Sequence, residues 1–184
     1  MKRSVLILGI CFAFGAGVYA QEAPITPLAE VGFVYSGVRI HSSQDGLNLN
    51  ENGGAGYVEY NLNRTVGLVG DIGAYNNSTF DQTTMTYLFG PRLNLRKSRF
   101  TPYVQFLFGG ARAWSNTAQF TTNQNAFAAA FGGGLDVNLT NRIALKPIQV
   151  EYLMTQLPGL TSSTDSIQNN IRYSAGLVLR FGAK

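Results

Sequence analysis

A chain of 184 residues, 45% hydrophobic and 13% charged, is long enough for one domain and no more. Its formal net charge of +4 falls to +2 once Lys2 and Arg3, two of its fourteen basic residues, are set aside with an amino-terminal signal. No Lys/Arg run or aromatic-interleaved basic stripe survives, which excludes nucleic acid as a partner, and the single cysteine, Cys11, lies in that same segment, so the exported chain has no thiol or disulfide chemistry.

In chain order, residues 1–20, MKRSVLILGICFAFGAGVYA, place Lys2 and Arg3 before an apolar run from Val5 to Val18, with Val18 and Ala20 as small residues ahead of a cleavage point. The run is glycine-broken and shorter than the roughly twenty residues of a membrane span, so a removed signal is predicted, cut after Ala20. Ile10 before Cys11 is not the small residue that a lipoprotein site requires. Residues 21–29, QEAPITPLA, hold Pro24 and Pro27 and read as a short leader. The remainder, 30–182, has no unbroken apolar run near twenty residues, so any bilayer crossing has to use strands closed on themselves.

Eight strands are predicted, at 30–40, 55–63, 66–75, 84–95, 101–114, 125–139, 142–155 and 170–182, each reaching the roughly 9 to 11 residues of a tilted span. Alternation is clearest in three. Met85, Tyr87, Phe89, Leu93 and Leu95 alternate with Thr86, Arg92 and Asn94. Ile171, Tyr173, Ala175, Leu177, Leu179 and Phe181 stand against Arg172, Ser174, Gly176 and Arg180. In the sixth, Phe127, Phe131, Leu135, Val137 and Leu139 face away from a stripe of Ala126, Ala128, Ala130, Gly132, Gly134, Asp136 and Asn138. A stripe of small and polar residues fits the crowded interior of an eight-stranded barrel, and the aromatic face then meets lipid.

The connections sort by length. Short turns fall at 63–65, 96–99 and 140–141; long polar segments fall at 41–54, 76–83, 115–124 and 156–169, with four acids (Asp45, Glu51, Asp81, Asp165) and no Lys or Arg. Arg64, Arg96, Lys97, Arg99 and Arg142 gather near the turns. Short turns on one side and long loops on the other are the pattern of a bacterial transmembrane barrel, with both termini on the turn side, assigned to the periplasm. The fold class expected is all-β: an eight-stranded antiparallel up-and-down barrel in the outer membrane.

Alternation breaks at Ser36-Gly37, at Gly109-Gly110 and at Pro147, where bulges are predicted that turn Arg39 and Arg112 inward. Strand phase then collects a lumen ion network: Arg39, Glu59, Asp71, Arg112, Glu151 and Arg172 in the half nearer the loops, and Arg92, Asp136, Lys146 and Arg180 nearer the turns. Opposite charges held away from water neutralise one another, which predicts a plugged lumen; a gate whose pairs exchange is the sharper alternative. Tyr35, Tyr57, Tyr75, Tyr87, Tyr103, Trp114, Tyr152 and Tyr173 are expected in interfacial girdles.

No second His or Cys is available for zinc, no acids have calcium-loop spacing, and the glycine clusters at 53–56 and 132–134 lack the Lys-Ser/Thr of a phosphate loop, so no cofactor is expected. His41, followed by Ser42 and Ser43, is similar to the His and Ser of barrel enzymes that deacylate lipid A. Its spacing differs from theirs and no carboxylate is positioned to orient the ring, so it reads as a loop histidine.

The segments GYVEYNLNRTVGLVGDIGAY, TYLFGPRLNLR, TPYVQFLFGGAR and IRYSAGLVLRFG resemble the small outer-membrane β-barrel domain family of OmpA-like and OmpX-like proteins, often labelled porin family. The resemblance spans about 30–182. It implies outer-membrane lipids as partners, and the barrel-assembly machinery, whose signal Ser174, Gly176, Leu179 and Phe181 match. The expected role is non-enzymatic: an envelope scaffold making surface contacts, with an unidentified ligand, through four loops. A narrow passive channel is the alternative, and a lipid A-modifying enzyme a weaker one, since fold alone does not carry function.

Overall fold

The computed structural model describes residues 26–41, 48–77, 82–117, 120–155 and 168–182. The chain forms eight strands: β1 (Ala29–His41), β2 (Asn48–Asn61), β3 (Val66–Asn77), β4 (Gln82–Asn94), β5 (Phe100–Thr117), β6 (Phe120–Asn138), β7 (Ile143–Thr155) and β8 (Gln168–Phe181). Each pairs antiparallel with the next, and β1 pairs with β8, which closes the barrel and leaves no open edge. No helix among the described residues is long and apolar enough to cross a membrane. The predicted signal and most of the leader lie outside the described residues; Pro27 and Leu28 continue the closing seam, where the Leu28 amide donates to the Phe181 carbonyl.

Side chains alternate as the period-two pattern requires, with the large apolar ones outside. Phe131 and Leu177 are 60% and 51% exposed, whereas Asp136 and Arg180 on the same strands are 2% and 8% exposed. A water-soluble barrel has the reverse arrangement. The interior is filled by Val34, Val69, Leu107, Ala128, Ala130, Leu153 and Val178 and by the charged groups described below.

Two of the three turns are closed by their own side chains. Asn63 Oδ1 accepts from the amides of Thr65 and Val66, both at 2.8 Å, and Thr140 Oγ1 accepts from those of Arg142 and Ile143. Such short side chains substitute for backbone partners and fix the reversal. The segments predicted as long loops differ from expectation. The ladder runs on through polar sequence, so β5 and β6 pair as far as Thr117 with Phe120 and leave only 118–119 between them, and 78–81 is all that separates β3 from β4. Residues polar on both faces read as loop, yet beyond the lipid belt a hairpin needs only its backbone bonds.

Of the three predicted bulges, only the one at Pro147 is present. Register shifts by one between Lys146 and Gln149 on the β8 side, and between Leu135 and Val137 on the β6 side. Proline offers no N–H to the ladder, so Pro147 and Ile148 both face out and Lys146 stays inside. At Gly37 and Gly110 the registers are continuous. There the outward surface lacks a side chain because Tyr173 and Tyr87, each directly across the strand pair, lie over the glycine. Tyr103 covers Gly134 in the same way inside the barrel, with the Ile148 carbonyl close by. Gly134→Val is therefore expected to cost about 1–3 kcal/mol by overpacking. Gly70→Val, whose Cβ enters open space, is expected to cost far less; urea titration followed by gel mobility of unboiled protein compares them.

Candidate functional site: the ion network of the lumen

Every strand contributes to a polar column along the barrel axis, because each carries one or more charged or amide residues in the inward phase. At the turn end Glu30 of β1 accepts from Arg96, just past β4, and from Arg180 Nε of β8 at 2.9 Å. Asn61 Nδ2 donates to Glu30, and its Oδ1 accepts from Arg96 Nη2 at 2.7 Å. Asn138 Oδ1 takes the other end of Arg180.

One layer up, Glu59 of β2 accepts from Arg92 Nη1 of β4 at 2.7 Å and from Asn94. Arg92 Nε donates to Gln105, which passes a hydrogen bond to Glu151. Lys146 pairs with Asp136 at 2.8 Å and donates to Tyr103 Oη, which donates to Gln149. The Arg92 guanidinium also sits 4.6 and 4.3 Å from the ring centres of Tyr57 and Tyr103, where the ring faces attract a cation. Above this, Arg172 of β8 holds two acids at once: Glu151 at 2.7 Å and Asp71 at 2.9 Å, with Tyr75 Oη as a further acceptor.

The stoichiometry is informative. Five acids (Glu30, Glu59, Asp71, Asp136, Glu151) meet five bases (Arg92, Arg96, Lys146, Arg172, Arg180), all nearly inaccessible to solvent. A neutral, hydrogen-bonded column is the arrangement in which buried charge is tolerable, since any unpaired member costs several kcal/mol. Glu51 lies outside that balance. It is 3% exposed and takes a long hydrogen bond from Thr84, 3.5 Å, with no ion pair among the described residues.

Eight of the ten residues assigned to the lumen from sequence lie there: Glu59, Asp71, Arg92, Asp136, Lys146, Glu151, Arg172 and Arg180. Arg39 and Arg112 do not. With no bulge at Gly37 or Gly110 the alternation is never reversed, and both arginines are exposed on the outer wall. Glu59 belongs to the turn half, because β2 starts at Asn48 and places Glu59 two residues from its end. Glu51 is likewise a strand residue and not part of a loop.

Tyr57, Tyr75 and Tyr103, expected in girdles, are buried in the lumen at 3%, 1% and 4% exposure. They share parity with Glu59, Asp71 and Gln105. Tyr35, Tyr87, Tyr152 and Tyr173 do face outward; the Trp114 side chain lies outside the described residues. Glu30 and Arg96 were missed although their parity with Val34 and with Arg92 and Asn94 marks them as inward. Ser174 faces in and shares a 2.7 Å hydrogen bond with Ser36, while Leu179 and Phe181 face out. Ser42, Ser43 and the His41 side chain lie outside the described residues.

The comparisons with known proteins return outer-membrane β-barrels. The family model described as outer membrane protein beta-barrel domain matches residues 6–181. The chain belongs to that family. Among solved structures, Neisserial surface protein A aligns with a TM-score of 0.66 at 13% identity, covering 83% of this chain and 97% of that one. Ail, the attachment invasion locus protein of Yersinia pestis, gives 0.58 at 17% identity, and the amino-terminal barrel domain of Pseudomonas aeruginosa OprF gives 0.55 at 14%, both with the same coverage. At these identities the likeness is one of fold. Among curated proteins none matches. Membership in an outer-membrane barrel family places the chain in the outer membrane, so the exposed phenylalanines and leucines meet acyl chains.

Proposed function

We propose that this chain is a non-enzymatic outer-membrane barrel with a sealed lumen, an envelope scaffold that makes surface contacts through its four loops. The carrying observation is the column of five acids and five bases, each bonded to side chains from other strands. A barrel of eight strands has room for side chains and little else, and here they are interlocked. Both termini are assigned to the periplasm with the turns, where the exposed Arg64, Lys97, Arg99 and Arg142 gather.

Purified protein in a planar bilayer is expected to pass no steady current. Arg172, shared between Asp71 and Glu151, is the place where exchange of pairs would open a narrow channel, and it keeps the channel reading as the alternative. Glu59→Gln and Glu151→Gln separate the two: closure in both favours the scaffold, and discrete openings in either overturn it in favour of a gate. A structure of Ail was determined with the heparin analogue sucrose octasulfate. The loop segments of this chain contain Asp45, Asp81 and Asp165 and no Lys or Arg, so a sulfated or phosphorylated polyanion is not the loop ligand expected here.

A further inference from the structure

The lipid-facing wall of β1 to β5 is not uniformly greasy. Residues paired across the strands read Phe33, Gly56, Ile72, Tyr87 in one row and Val31, Val58, Gly70, Phe89, Phe108 in the next toward the turns. Gly56 and Gly70 leave a hollow of about 550 Å³ bounded by Phe33, Val58, Ile72 and Phe108. A Cβ on Gly70 would meet nothing within 4 Å, and one on Gly56 nothing nearer than 3.8 Å. These glycines therefore differ from Gly37 and Gly110, which a tyrosine of the same chain covers. Glycine inside a strand weakens it, and where no neighbour fills the space it marks the approach of something from outside.

Toward the loops the same wall turns polar. Asn52 and Asn76 face out, with Arg39 on β1 and Arg112 on β5 at the two flanks, all exposed. Arg39 lies ten residues along β1 from Ala29, which at about 3.3 Å per residue and about 40° of tilt is roughly 25 Å, the height of a barrel's apolar band. Arg112 stands four residues beyond Phe108 on the same face of β5, which with the same tilt is roughly 10 Å above the hollow. Among the described residues these two are the only exposed Lys or Arg on the loop side, and the loop segments add none.

We propose that this wall seats a phosphate-bearing, multi-acyl lipid of the outer leaflet, with an acyl chain in the Gly56–Gly70 hollow and phosphate at Arg112, Arg39 guarding the other flank. The shape and the charge point to the same ligand: an apolar hollow below, and exposed arginines toward the loops, where the described residues include no other exposed Lys or Arg. An arginine at that level keeps its stem along apolar side chains while its head meets the phosphate. The proposal rests on the reading that the long loops face the cell exterior, and a measurement on purified protein separates the two, because binding in vitro does not depend on orientation.

The test is native mass spectrometry of the full barrel in detergent with added bisphosphorylated lipid A, beside Gly70→Leu, Arg112→Gln and, as control on β8 outside the lining of the hollow, Ala175→Leu. Unboiled gel mobility confirms that each variant is folded. One retained lipid A per barrel is expected for the parent and for Ala175→Leu. Arg112→Gln is expected to lower retention about fivefold, as one cation near an anionic surface implies, and Gly70→Leu about tenfold by filling the slot. Equal retention in all four proteins overturns the proposal, as does equal loss in Ala175→Leu. A dimer mass that Gly70→Leu abolishes also overturns it, since a second copy of the chain would then occupy the hollow.

Discussion

Arg172→Met is expected to cost the barrel about 3–5 kcal/mol, the penalty for removing one partner from a buried ion pair. The reason is specific to this residue. Arg172 serves Asp71 and Glu151 together, and its loss leaves two carboxylates at 3% and 1% exposure without a cation. The remaining donors to Glu151 are the neutral amides of Gln105 and Gln149, which satisfy lone pairs but not charge. The triple variant Arg172→Met, Asp71→Asn, Glu151→Gln is expected to recover most of the loss, because it removes the charge that the single change strands. Urea unfolding in detergent, read by the mobility of unboiled samples, measures both. A cost below about 1 kcal/mol for Arg172→Met, the range of an exposed pair, would show that water reaches the column and that the lumen is not sealed.

That column was only half legible in the sequence. Parity was readable: once Phe131, Leu135 and Leu177 are placed outside, Asp136 and Arg180 have to be inside, and so they are. Partners were not readable, because they depend on register around a closed sheet. Arg180 reaches Glu30 only because β8 closes onto β1, and Glu59 meets Arg92 from two strands away, across β3. The errors share one cause. Gly37 and Gly110 interrupt the pattern without shifting its phase, because Tyr173 and Tyr87 fill the vacancy across the strand pair, and a linear reading cannot tell a covered glycine from a bulge. Pro147 was readable because its defect is covalent: it has no N–H to give. The hairpins beyond the predicted strand ends were missed for a different reason, since their sequence is polar at odd and even positions alike and carries no alternation to read.

The second large effect concerns the outer wall. Phe131→Arg is expected to destabilise the barrel by about 2–4 kcal/mol, whereas Asn125→Arg, on the same face of the same strand, is expected to cost about 0–1 kcal/mol. Both positions are exposed and both variants gain the same charge, so a water-soluble barrel would treat them alike. What separates them is depth. Six residues of tilted strand move the side chain roughly 15 Å, from the middle of the apolar band to the level of Arg39 and Arg112, where the chain already carries arginines. Equilibrium unfolding from lipid vesicles supplies the comparison. Equal costs at the two sites would place the wall in water and remove the membrane from the account. A cost graded with depth, repeated with Phe106→Arg on β5 against the arginine already present at 112, would fix the lipid boundary at the ring of Arg39, Asn52, Asn76 and Arg112, and with it the height at which a lipid headgroup meets this surface.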